Sequence, residues 1–127
     1  MHADFNILAA WLGILCGLLT GVAQGLWFHR GDWLGGYASW RRRLLRLGHV
    51  SFFGIAFLNF AFAWTVRDLG WRPGNPVPAA ALALAQGLMP LVCFLAAWRP
   101  PMRHLFFLPV TCVLVGVVGL LVERLGV

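Results

Sequence analysis

The chain has 127 residues, 61% hydrophobic and 11% charged, with a net charge of +6 and a mean hydropathy of +0.80. A water-soluble domain carries about 25% charged residues, and one this small is too nearly all surface to hide so much apolar area. The bilayer is therefore the solvent, and the positive charge reads as loops facing anionic lipid headgroups rather than as a nucleic-acid surface.

Four apolar runs, 5–28, 47–66, 78–98 and 104–122, each suffice to cross about 30 Å of hydrocarbon, which takes roughly 20 residues of helix. In lipid such runs must be helical, because their backbone groups have no water to bond. The expected fold is an all-α membrane protein: one domain of four transmembrane helices in an antiparallel bundle.

The first run has no basic segment before it and so reads as a span rather than a cleaved signal. Gly13, Gly17, Gly21 and Gly25 form a threefold GxxxG repeat, where backbones can approach closely. A four-residue repeat drifts about 40° per step on a 3.6-residue helix, which favours a steep crossing, within the fold or against another subunit. A seam of small and polar residues, Ala10, Gly13, Gly17, Thr20 and Gln24, follows three- and four-residue spacing.

The segment after it holds Arg30, Arg41, Arg42, Arg43 and Arg46. Trp33, Tyr37, Trp40, Leu44 and Leu47 recur at spacings of four and three, the pattern of one apolar helical face. The expectation is a short amphipathic helix over 33–46 lying in the interface, with Arg41, Arg42, Arg43 and Arg46 meeting lipid headgroups. Gly35 and Gly36 weaken its start.

The second run carries a seam of His49, Phe52, Ala56, Asn59 and Ala63. Five phenylalanines, Phe52, Phe53, Phe57, Phe60 and Phe62, point in several directions, so some face a partner rather than lipid. Trp71 to Pro78 reads as a turn on Pro73, Gly74, Asn75 and Pro76. The third run has its seam at Ala79, Ala83, Gln86, Pro90, Cys93 and Ala97. Pro100 and Pro101 make a tight hairpin into the fourth run, where Pro109, Cys112, Gly116 and Gly119 continue the pattern.

Seven arginines flank one side of the spans. Arg67, Arg72 and Arg124 flank the other, with Asp4, Asp68 and Glu123. Under the positive-inside rule the arginine-rich loops are cytoplasmic and both termini lie outside. The compositional style suggests a bacterial inner membrane. Trp27, Trp64, Trp71 and Trp98 sit near run ends as interfacial anchors. Cys16, Cys93 and Cys112 lie in apolar runs without CxxC spacing and behave as small apolar residues, so neither a disulfide nor a metal site is expected from them.

Two polar layers follow from depth at about 1.5 Å per residue. Asn59 and Gln86 fall roughly 3 Å from the midplane on the outer side, Gln24 and His49 roughly 11–12 Å to the cytoplasmic side. A buried amide needs partners, so interhelical bonding is the first reading and a polar pocket for a ligand head the second. His29, His49 and His104 gather at the arginine-rich end. Imidazole ligates haem iron or metals, so haem b or quinone held near His49, with Gln24 beside it and the glycine face giving room, is the alternative to plain headgroup contact. No acid lies mid-span, which disfavours proton-coupled transport, and no catalytic constellation is visible. The favoured function is a non-enzymatic accessory or assembly subunit packed against other membrane subunits or itself. A haem- or quinone-binding redox subunit comes next, then a small-solute channel or transporter.

Overall fold

The computed structural model describes residues 2–68 and 74–126. Backbone amides without water must bond within their own segment, and all regular structure among the described residues is helical. Four helices are long and apolar enough to cross a membrane. They are α1 (His2–Phe28), α2 (Trp40–Asp68), α3 (Val77–Trp98) and α4 (Phe107–Leu125).

The segment 33–46 departs from its expected helix. A 3₁₀ turn covers Trp33–Gly35, and Leu34, Gly35 and Gly36 all take positive φ, at 55°, 86° and 90°. Three successive left-handed residues end any right-handed helix, and two glycines make them tolerable. The helical part of the segment begins at Trp40 and runs unbroken into α2. Loop three turns at Arg99 alone, between the end of α3 at Trp98 and a 3₁₀ segment, Pro100–Phe106, that leads into α4. At the other end, Asn75 Oδ1 accepts from the Val77 backbone N–H at 2.9 Å, marking the start of α3. Trp71, Arg72 and Pro73 lie outside the described residues.

The bundle is held by small side chains. Ala10, Ala85, Cys93 and Ala96 are fully buried. α3 is the hub, burying residues toward α1, α2 and α4. Its Leu82 and Pro78 lie against Gly116 and Gly119 of α4, with Pro78 Cγ 2.7 Å from where a Gly119 Cβ would stand. α4 packs chiefly on α3, and of its residues only Pro109 and Gly116 are buried. One apolar cluster, Leu44 with Ala96 and Ala97, closes the arginine-rich end, and another, Phe62 with Ala79 and Leu82, closes the end near the termini.

Candidate functional site

The most buried polar feature is a chain of three amides through α1, α2 and α3. Asn6 Nδ2 donates to Asn59 Oδ1 at 2.6 Å and to the Ala79 carbonyl at 3.0 Å. Asn59 Nδ2 donates to the Ile55 and Leu82 carbonyls at 3.0 and 3.1 Å, and lies 3.4 Å from Gln86 Oε1. Gln86 Nε2 donates to the Phe52 carbonyl at 2.9 Å. Asn6 and Asn59 are both 0% exposed. Each amide nitrogen has two hydrogens, so both asparagine donors are fully engaged, while Asn6 Oδ1 is buried without a partner.

The structure thus brings Asn59 and Gln86 together and adds Asn6, which sequence reasoning missed. A signal existed. Asn6 stands four residues before Ala10, one step back along the same seam.

The glycine stripe divides along its length. A Cβ on Gly13 would meet the Gln86 amide; on Gly17 it would meet the Phe53 ring at 2.7 Å and on Gly21 His49 Cε1 at 2.7 Å. Gly25 faces open space, so the packing role expected for it is not met within this chain. α1 therefore lies close to α3 near Asn6 and Gly13 and leans on α2 through Gly17 and Gly21; at Gly25 the stripe faces away, while Gln24 and Phe28 keep α1 bonded to α2. Gln86, Phe53 and His49 fill the glycine face from Gly13 to Gly21.

The expected partners at the second polar layer are exchanged. Gln24 Nε2 donates to the Leu45 carbonyl at 3.2 Å, and His49 Nδ1 lies 3.4 Å from Thr20 Oγ1. The Thr20 hydroxyl hydrogen points back to its own helix, 2.8 Å from the Cys16 carbonyl. That leaves the hydroxyl oxygen able to accept from His49 in the tautomer that carries its hydrogen on Nδ1. The His49 ring also meets Phe53 edge-on at 5.3 Å. His49 is half-buried, whereas His29 and His104 are exposed in the segments after α1 and before α4. No group of three or more metal-ligating side chains occurs among the described residues.

The four arginines assigned to headgroups separate into different environments. Arg42 is only 3% exposed. Its Nη2 donates to the Phe28 carbonyl at 2.9 Å, and its Nη1 reaches the Arg30 and Gly31 carbonyls at 3.4 and 3.5 Å. The rings of Phe28, Trp33 and Tyr37 lie 4.8 to 5.6 Å from its Cζ. Arg42 therefore caps the C-terminus of α1, where the helix dipole favours a cation, and is withdrawn from lipid. Trp33 and Tyr37 share a target, but as a loop folded over Arg42 rather than as a helix face. Arg46 is half-buried, bonded to the Tyr37 carbonyl at 3.3 Å and stacked on its ring at 4.3 Å. Arg43 is exposed, and Arg41 is exposed above the Trp98 ring at 5.6 Å. Trp40 Nε1 donates to the Ala96 carbonyl at 3.1 Å, tying α2 to α3 at this end. At the opposite end Arg67 and Asp4 form an exposed ion pair of 3.7 Å.

Comparison with protein-family models, with curated proteins and with solved structures finds no match to this chain.

Proposed function

We propose that this chain is a non-enzymatic accessory or assembly subunit of a larger membrane complex. Its four helices cross a bacterial inner membrane as an antiparallel bundle, with the arginine-rich end cytoplasmic. The buried polar groups of α1, α2 and α3 bond mainly to one another and to backbone carbonyls, which is the chemistry of a scaffold.

The observation that carries the reading is the outward face of α2. Val50, Gly54, Phe57, Ala61 and Trp64 fall in one stripe at three- and four-residue spacing and are all exposed. Phe57 is 71% and Trp64 69% exposed, among the most exposed large apolar side chains, and nothing stands within 4 Å of a Cβ built on Gly54. Projecting rings separated by small gaps give a knob-and-hole surface suited to a partner helix, whereas lipid needs no such relief.

Purification from native membranes in mild detergent tests this. The wild type should carry a discrete partner protein, and Gly54→Leu and Phe57→Ala should release it while the chain stays folded. A wild-type monomer with no copurifying protein overturns the reading.

A further inference from the structure

Three openings follow one another along α3, each sharing a lining side chain with the next. At the arginine-rich end an open pocket of about 470 Å³ is lined by Ser39, Arg41 and Trp98, among others. Trp98 also lines a second opening of about 310 Å³, with Thr20, Gln24, Leu45 and Phe94. Phe94 in turn lines a third, of about 590 Å³, with Phe52, Ala83, Gly87 and Leu91. Ala83, Gly87, Leu91, Phe94 and Trp98 occupy one face of α3, and Arg41, Leu45 and Phe52 occupy one face of α2. The middle opening lies between α1 and α3: α1 touches α3 near Gly13, and further along it stays bonded to α2 through Gln24 and Phe28 while its Thr20, Ala23 and Gln24 form one wall of the opening.

Polarity along the path is graded. Its mouth has a guanidinium and a hydroxyl, its middle has Gln24 and Thr20, and beyond Phe94 it is lined only by apolar side chains and glycine. Ala83 to Trp98 spans about 22 Å of helix, longer than the roughly 15 Å of hydrocarbon in one leaflet. Arg41 stacks on Trp98, and among the described residues no carboxylate forms an ion pair with it. Asp32 is the single acidic residue in the two loops of that end, against seven arginines.

We propose that this path is a binding site for one anionic phospholipid. Its phosphate sits at Arg41, within reach of the Ser39 hydroxyl, and an acyl chain runs past Trp98 and Phe94 to Gly87. The gradient fits an amphiphile; a partner helix or a neutral quinone would leave the arginine without its counter-charge. The site needs only that α1, α2 and α3 cross a bilayer, and it stands whether or not a protein partner occupies the far face of α2.

Native mass spectrometry of the purified protein, supplied with phosphatidylglycerol or with phosphatidylcholine of the same chains, tests it. The wild type should retain one phosphatidylglycerol in preference to phosphatidylcholine, by about fivefold for a single arginine. Arg41→Gln should abolish that preference, and Arg43→Gln, outside the path, should keep it. Gly87→Leu should lower retention of both lipids, since a side chain there enters the groove without meeting protein. Leu91→Trp fills the same groove and replaces that variant if its helical circular dichroism is lost. Equal retention of the two lipids by the wild type overturns the proposal. So does an equal loss in Arg41→Gln and Arg43→Gln, or a quinone or protein carried in place of lipid and displaced by Gly87→Leu.

Discussion

Asn6 donates to Asn59 across 2.6 Å, joining the second turn of α1 to the second half of α2. The same nitrogen reaches the Ala79 carbonyl at the start of α3, so one side chain bonds to two neighbouring helices. Interhelical hydrogen bonds in membranes contribute about 0.6 to 2 kcal/mol, because a chain unfolded in lipid also finds partners. Asn59→Ala should cost more, about 1–3 kcal/mol, since it strands a buried donor on Asn6. Unfolding in mixed detergent, followed by circular dichroism, measures both. A double-mutant cycle of Asn6→Ala with Asn59→Ala should give a coupling of about 0.6–2 kcal/mol. A coupling near zero would deny that the pair acts as a unit.

The glycine stripe predicts a gradient. Gly13→Val and Gly17→Val drive a branched side chain into Gln86 and Phe53, and overpacking of this kind costs about 1–3 kcal/mol. Gly21→Val meets the edge of one imidazole, which can turn, so its cost should be smaller. Gly25→Val enters open space and should change stability by less than about 0.5 kcal/mol. The same detergent titration reads all four. A Gly25→Val variant that folds normally but loses self-association would show that this glycine packs against a second copy.

Orientation carries its own prediction. If the seven-to-three arginine asymmetry sets topology, alkaline phosphatase fused after Gly126 should be active, and a cytoplasmic reporter there silent. Replacing Arg41, Arg43 and Arg103 with Gln while adding arginines beside Arg67 should invert part of the population. An active cytoplasmic reporter on the unmodified chain would reverse the assignment of sides.

What could be read from the residues depended on the range of the forces involved. The number of helices follows from hydropathy and length, which are local. The meeting of Asn59 with Gln86 follows from depth, because two helices crossing the same slab must place equal depths side by side. Partner choice was less accessible. Gln24 and His49 share a depth, yet Gln24 takes a backbone carbonyl and His49 takes Thr20, a difference of side-chain reach that spacing does not encode. The 33–46 segment failed for a different reason. Its apolar period is helical, but two glycines interrupt it and the residues part: Trp33 and Tyr37 meet Arg42 from a loop, whereas Trp40 and Leu44 meet α3 from the start of α2. Arg42 was the largest omission, since an arginine among arginines gives no sign that it is the one turned inward.

That inward arginine gives the most direct comparison of neighbours. Arg42 and Arg43 are adjacent and identical in chemistry, but one is buried against three carbonyls and three rings and the other is exposed. Charged hydrogen bonds contribute about 1.5–3 kcal/mol, and cation–π contacts about 0.5–2 kcal/mol. Arg42→Ala should therefore cost about 2–4 kcal/mol, with the loss centred on the loop it holds, whereas Arg43→Ala should stay within about 0.5 kcal/mol. Arg42→Lys keeps the charge but loses the planar fork that serves several carbonyls at once, so it should fall between them. Limited trypsin digestion reads the loop directly, because Arg30 is an exposed cleavage site within it. Cutting after Arg30 should be fastest in Arg42→Ala, intermediate in Arg42→Lys, and unchanged from wild type in Arg43→Ala. Equal rates in the two alanine variants would mean that the loop is held by its aromatic rings alone.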